Sequence, residues 1–265
     1  MKFLLTAINA KFIHSNPAIY SLRAGVGEKL QPYVELAEFT INESLESILE
    51  GIWKRQPKVI GFSCYIWNWK LIREILMELP KILPDTEIWL GGPEVTYDGP
   101  GLLREFPQVT GIMVGEGEVT FREVLDQYVR EAESTGQSEQ QPEPDSIEQQ
   151  AADRTGTVAG KTVAERFGQI PGLCLASGYT APRELTDLTT LPFLYEDMEP
   201  FTNRIIYYET SRGCPYRCSY CLSSIDKKVR LRDIDVVKRE LQFFLDQDVK
   251  QVKFIDRTFN CDHKH

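Results

Sequence analysis

Across residues 1–130 five short apolar runs, at 2–8, 34–40, 58–64, 87–90 and 111–114, alternate with amphipathic patterns of helical period at 18–30, 44–55, 69–79 and 120–130. Strand and helix in strict alternation predict an α/β fold, an open, doubly wound parallel sheet with helices on its faces. Local chemistry agrees with these boundaries. Asn42 and Ser44, with Glu46 and Ser47 just downstream, look like a helix start, and Pro57 and Pro84 punctuate returns from helix to strand.

Sheets of this kind bind ligands beyond the carboxyl ends of their strands. Four segments place small or polar residues there: Asn9 to His14, then Ser63-Cys64-Tyr65, then Gly91-Gly92-Pro93-Glu94, then Gly115-Glu116-Gly117-Glu118. Glycine pairs at strand ends let a bulky ligand approach the main chain, although any βα loop also uses glycine for tight geometry.

Downstream the composition changes. Residues 131–156 hold seven acidic residues and one basic, which accounts for most of the formal charge of −9. The segment 131–160 is rich in Glu, Gln, Ser and Pro and nearly devoid of aromatics, the signature of an acidic flexible linker or insertion. A connector over 161–202, proline-rich from Pro171 to Pro200, reads as irregular structure. From 203 a second unit begins, with strand patterns at 203–210 and 249–255 around a helix at 234–247. Strand, loop, helix, strand is the first unit of a βα barrel, and one unit cannot close a barrel. The sequence thus reads as incomplete within its second domain, residues 203–265, and inactive by itself.

With 265 residues and 42% apolar content the chain has material for two ordinary domains. No basic stripe with interleaved aromatics supports nucleic-acid binding. The apolar run after Met1 is too short for a signal segment, and no window approaches the roughly 18 apolar residues of a membrane span. Six cysteines, three of them clustered, fit a reducing, cytoplasmic compartment with a metal site better than a disulfide framework, leaving Cys64, Cys174 and Cys261 as free thiols.

The cluster is Cys214, Cys218 and Cys221, spaced C-x3-C-x2-C just after a strand, with Gly213 before it and Tyr220 before its last member. Three thiolates on one loop can ligate three irons of a cubane [4Fe-4S] cluster and leave the fourth iron open. The alternative is a zinc site built from Cys218 and Cys221 with Cys214, Cys261 or His263.

Residues 211–221 resemble the cluster loop of the radical S-adenosylmethionine superfamily, C-x3-C-x-aromatic-C. The resemblance implies a partial TIM-type barrel, S-adenosylmethionine chelated at the open iron, and its reductive cleavage to a 5′-deoxyadenosyl radical. By position Tyr220 would lie against the adenine, or else shield the cluster from water. The family's Gly-Gly-Glu-like element at the second strand end is replaced here by Phe254-Ile255-Asp256-Arg257. Asp256 remains as an acceptor for the methionine ammonium, with an ion pair to Arg257 as its alternative role.

Together with the cluster loop, the glycine segments make residues 1–130 similar to the Rossmann-like cobalamin-binding domain that precedes many radical S-adenosylmethionine domains. The resemblance implies cobalamin contacts from Asn9, Ser63, Cys64, Tyr65, Gly91, Gly92, Pro93, Gly115, Glu116, Gly117 and Glu118. The Asp-x-His-x-x-Gly frame that supplies an axial histidine in many cobalamin proteins is missing. His14 stands alone in that loop and reads as a loop or capping residue. Tyr65, Trp67 and Trp69 would either face the corrin or serve as packing. The implied activity is cobalamin-dependent radical chemistry, with methyl transfer favoured over rearrangement. It would act on a small-molecule or peptide substrate and draw electrons from a donor such as flavodoxin or ferredoxin. A non-catalytic cofactor-binding module is the alternative.

Overall fold

The computed structural model describes residues 1–136, 160–221, 228–259, 261 and 262. Most of the expected acidic linker and His263 lie outside that set. In chain order the elements are β1 (Phe3–Asn9), α1 (Pro17–Gly25), β2 (Val34–Thr40), α2 (Leu45–Trp53), β3 (Val59–Ser63), α3 (Trp69–Ile82), β4 (Glu87–Gly91), α4 (Gly99–Glu105), β5 (Val109–Met113), α5 (Gly117–Gly136), α6 (Val163–Phe167), β6 (Leu173–Leu175), β7 (Gly178–Tyr179), β8 (Ile206–Tyr208), β9 (Ser211–Arg212), β10 (Arg230–Leu231), α7 (Ile234–Asp246) and β11 (Val252–Phe254). Short 3-10 turns at 31–33, 188–190 and 199–201 complete them.

The main sheet has seven strands in the order β2-β1-β3-β4-β5-β6-β7. Its first five are parallel, as the alternation requires, and β6 and β7 are added antiparallel at one edge. Every residue of β1 is buried, because a central strand with helices on both faces meets water nowhere. Alternate residues feed two cores. Leu4, Ile8, Ile60, Ile72 and Leu76 pack on one face, and Phe3, Leu5, Trp89, Phe121 and Phe167 on the other.

Two findings depart from the sequence expectation. Residues 173–179, expected as irregular connector, extend the first sheet, with the buried triplet Leu173, Cys174 and Leu175 paired to β5. A three-residue strand is too short for periodicity to announce. Helix α4 was also unforeseen, since Gly99-Pro100-Gly101 reads as a breaker. Pro100 occupies a first-turn position that needs no N–H, and the Asp98 carboxylate accepts from Gly101 N at 3.1 Å.

The second unit is a parallel βαβ. Strand β11 lies beside β8, and α7 packs Val237 and Phe244 against Tyr195, Phe201 and Tyr208. Just before the cysteine segment β9 pairs antiparallel with β10, Arg212 facing Arg230 and Ser211 facing Leu231. The unit docks on the carboxyl edge of the first sheet. Ile205 N donates to Ile13 O at 2.8 Å and Ser15 Oγ to Ile205 O at 3.1 Å, and Arg204 pairs with Glu38. Among the described residues no helix is long and apolar enough to cross a membrane.

Candidate functional site

Strand order reverses between β1 and β3, so the chain leaves those two strands in opposite directions and opens a crevice at their carboxyl ends. Asn68, fully buried, holds the crevice together. Its amide nitrogen donates to Ile8 O at 3.0 Å and Ser63 O at 2.9 Å, and its side-chain oxygen accepts from Tyr65 N at 2.8 Å. Each backbone group so paired would otherwise be costly to bury. The next strand end supplies a tight approach. Gly92 has φ +109°, and a Cβ there would stand 2.4 Å from Cys64 O, so only glycine lets β4 turn against β3.

Around this crevice large apolar side chains stand in water: Phe12 (64% exposed) and Ile13 after β1, Ile66 (79%) and Trp67 (48%) after β3, and Tyr97 after β4. Trp67 stacks on Tyr65 with centroids 4.4 Å apart. Exposed apolar groups on three successive loops at the carboxyl edge are the kind of surface a large flat ligand would cover. The sequence patterns did not single out Phe12, Ile13, Ile66 or Tyr97, because apolar loop residues have no periodicity. Of the aromatic trio, Trp69 alone is packing. It lies against the core and edge-on to Phe106.

Several expected contact residues are positioned otherwise. The Cys64 side chain is fully buried, its N–H donates to Gly91 O at 2.7 Å, and burial pushes its thiol up, so it serves the core. Asn9 is buried too, its amide donating to His14 O at 3.0 Å and to Glu38 at 2.8 Å. The His14 ring pairs through Nδ1 with the Tyr207 hydroxyl of the second unit. Ser63, Tyr65, Gly91, Gly92 and Pro93 stay at the edge, Ser63 accepting from the Asn16 amide at 3.3 Å. Gly115 opens on free space, whereas Gly117 starts α5 in tight contact with Leu22.

Glu116 and Glu118 form the joint between the two units. Arg212, two residues before Cys214, reaches Glu118 at 2.6 Å, Glu209 at 2.8 Å and Glu116 at 3.6 Å. Arg230 pairs with Glu116, and its guanidinium also donates to Thr186 O at 2.6 Å. Burial raises the Glu118 carboxyl, but the Arg212 charge and hydrogen bond outweigh it and hold the group below the usual carboxylate range. Glu116 is shifted the same way, its burial outweighed by Arg230, Thr186 N–H and Arg212. For Glu209 burial wins over Arg212, and its carboxyl is raised. Partners 94 and 114 residues apart leave no trace in local sequence, so this joint was not foreseen.

Beyond the joint lies the cysteine loop. All six cysteines are free thiols; Cys214 and Cys218 are half-buried and Cys221 is exposed. Among the described residues no three Cys, His, Asp or Glu side chains are gathered as a metal-binding group. The donor chemistry nevertheless suits a cluster, with three thiols on one loop and none consumed by a disulfide. Tyr220 is 91% exposed, its ring available on both faces.

Asp256 sits where the second strand ends. Its Oδ1 accepts from Thr210 N at 3.0 Å, Thr210 Oγ1 at 2.9 Å and Ser211 Oγ at 2.6 Å, tying β11 to the base of the cysteine loop. Its Oδ2 is buried without a hydrogen-bond partner among the described residues, which leaves one carboxylate oxygen ready to accept. Burial pushes the Tyr65 phenol up, against the opposing hydrogen bond with Ser63 and the charge of Arg257.

Comparison with known proteins agrees with this geometry. Residues 4–125 match the family model of the B12 binding domain. The chain is 27% identical over 82% of its length to 2-(S-pantetheinyl)-carbapenam-3-carboxylate methyltransferase of Streptantibioticus cattleyicolor, covering 29% of that protein. It is 28% identical over 77% of its length to the cobalamin-dependent radical SAM methyltransferase TokK of Streptomyces tokunonensis, covering 28% of it. The solved structure of the cobalamin-dependent S-adenosylmethionine radical enzyme OxsB superposes on 97% of the chain with a TM-score of 0.67 at 16% identity, covering 34% of that protein. In fold the chain is therefore a Rossmann-like sheet domain joined to a βα unit. Residues 4–125 match the B12-binding domain family, and over about four-fifths of its length the chain is similar to methyltransferases that include a cobalamin-dependent radical SAM enzyme, of which it spans about a third.

Proposed function

We propose that the chain is the cofactor-binding part of a cobalamin-dependent radical S-adenosylmethionine enzyme that methylates an unactivated centre. One observation carries this reading. The apolar carboxyl edge of a B12-type sheet is locked, through Glu116 and Glu118 to Arg230 and Arg212, against the strand that leads into the three cysteines.

The residues fit the groups they would hold. Ser63, Tyr65, Trp67, Gly91, Gly92, Pro93 and Gly115 provide a largely apolar, glycine-lined edge for a corrin ring, and His14 is engaged with the Tyr207 hydroxyl. Cys214, Cys218 and Cys221 would hold the cluster. The buried free Oδ2 of Asp256 is placed to accept from the methionine ammonium, a charge-assisted bond stronger than a neutral one. Tyr220 offers a flat face to the adenine. When bound, cluster and S-adenosylmethionine supply a carbon radical and the corrinoid a methyl group, so the protein's share is binding, orientation and exclusion of water.

The test is anaerobic reconstitution of the chain with iron, sulfide and hydroxocobalamin, followed by S-adenosylmethionine and reductant. Iron and sulfide near four each per chain, together with a bound corrinoid that Gly92→Ala diminishes, are the expected result. One zinc per chain with neither corrinoid nor 5′-deoxyadenosine would refute the proposal.

A further inference from the structure

The three cysteines are not held alike. Gly213, with φ +94°, lies so close to the segment leading into β10 that a Cβ would stand 2.3 Å from Lys228 O, so the backbone direction entering Cys214 is fixed. Cys214 is also half-buried, and its Sγ lies 3.1 Å from the Thr258 hydroxyl oxygen. That distance is a hydrogen bond to sulfur.

Thr258 does not belong to the cysteine loop. It stands in the turn after β11, two residues beyond Asp256, whose carboxylate ties that turn to Thr210 and Ser211 at the loop's base. The hydroxyl therefore reaches the sulfur from a strand end that is itself fixed. Beside it Thr258, Thr210, Ser211 and Cys261 line a cavity of about 80 Å³.

We infer that Thr258 is a positioning residue which donates a hydrogen bond to the Cys214 sulfur and so raises the reduction potential of a cluster held by Cys214, Cys218 and Cys221. The inference rests on the cluster assignment proposed above. A ligating thiolate carries no proton, so in this pair the hydroxyl is the donor and the sulfur the acceptor. Reduction adds negative charge to the cluster and its thiolates, which strengthens a bond to an anionic acceptor. A donor aimed at a ligating sulfur therefore stabilises the reduced form over the oxidised one, one of the established levers on cluster potential. Thr258 differs in this from Asp256: it would act on the metal ligand and not on S-adenosylmethionine.

Thr258→Val keeps the shape and removes the donor, whereas Thr258→Ser keeps the donor. The chain and both variants are reconstituted anaerobically, and the midpoint potential is read from the electron paramagnetic resonance of the reduced cluster during a redox titration. At fixed applied potential, Thr258→Val is expected to lower the reduced-to-oxidised ratio about tenfold, equivalent to about 59 mV for one electron, with Thr258→Ser at the wild-type value. Should the valine variant fail to assemble a cluster, Thr258→Ala carries the same expectation. Equal midpoints in all variants, or a serine variant displaced as far as valine, would overturn the inference. A wild-type chain that takes up no iron or sulfide would refute the cluster assignment itself, an outcome distinct from an unchanged potential in loaded protein.

Discussion

Arg166, buried, and Arg212, half-buried, are both surrounded by carboxylates, yet they lie at opposite ends of the strands. Arg166, on α6, pairs with Glu87 at the start of β4 at 2.9 Å and with Glu131 on α5 at 2.8 Å, and its guanidinium lies 5.0 Å from the Tyr128 ring centroid and 4.6 Å from that of Phe167. It staples the returning chain to the amino end of the sheet, away from any crevice. Arg212 gathers Glu116, Glu118 and Glu209 at the carboxyl end and joins the glycine loop after β5 to the cysteine loop. The same chemistry thus serves architecture at one end and the relative placement of two loops, those proposed to bind cofactors, at the other. Position relative to the strand ends separates a structural charge cluster from a functional one.

The largest expected effects come from removing each arginine. Arg166→Met should destabilise the first sheet by about 3 kcal/mol, the low end for a broken buried pair because Glu87 and Glu131 keep some solvent. It should leave corrinoid affinity in the folded fraction unchanged. Arg212→Met, which takes the arginine from Glu118 and Glu209 and leaves Glu116 to Arg230 alone, should leave hydrogen exchange in β1–β5 near the wild-type pattern while opening residues 115–118 and 209–214. If both variants loosen the same residues, the distinction between the two clusters fails.

A smaller effect is expected from pH. The carboxyls of Glu116 and Glu118 are lower in the folded protein than in the unfolded chain, so the stability they add is present above the ordinary glutamate value of about 4.3 and is lost as pH falls below it toward their depressed values. Glu209 runs the other way. Its raised carboxyl favours the fold at low pH and opposes it as pH climbs through the folded value. Denaturant unfolding of wild type and Glu118→Gln at a series of pH values should show the wild type losing more stability below about pH 4. A variant that loses as much as wild type would show that Glu118 is not held by Arg212.

Much of this architecture was legible because it is written locally. The five parallel strands and the helix patterns of the first unit follow from apolar periodicity, and β8, α7 and β11 stand where the second unit was expected. The cysteine spacing was legible as a motif, being short-range, although the described residues do not gather the three thiols as a metal-binding group. Contacts between distant segments were not legible. Glu116 and Glu118 look like ligand-loop residues until Arg212 and Arg230 are seen beside them. Cys64 and Asn9 look like site residues until their burial and hydrogen bonds assign them to the scaffold. Asn68 and Thr258, which hold the crevice and reach Cys214, carry no motif at all. A side chain's role there depends on what the fold brings to it, and a lone Asn or Thr in a loop gives no hint of that.

The central claim is that the glycine-lined edge and the cysteine loop make one site for two cofactors. Electron paramagnetic resonance of the chain loaded with both cob(II)alamin and a reduced cluster tests it most directly. Mutual broadening of the two signals, absent when either cofactor is omitted and weakened in Arg212→Met, is the predicted result. A spectrum equal to the simple superposition of the two separate signals would contradict the account.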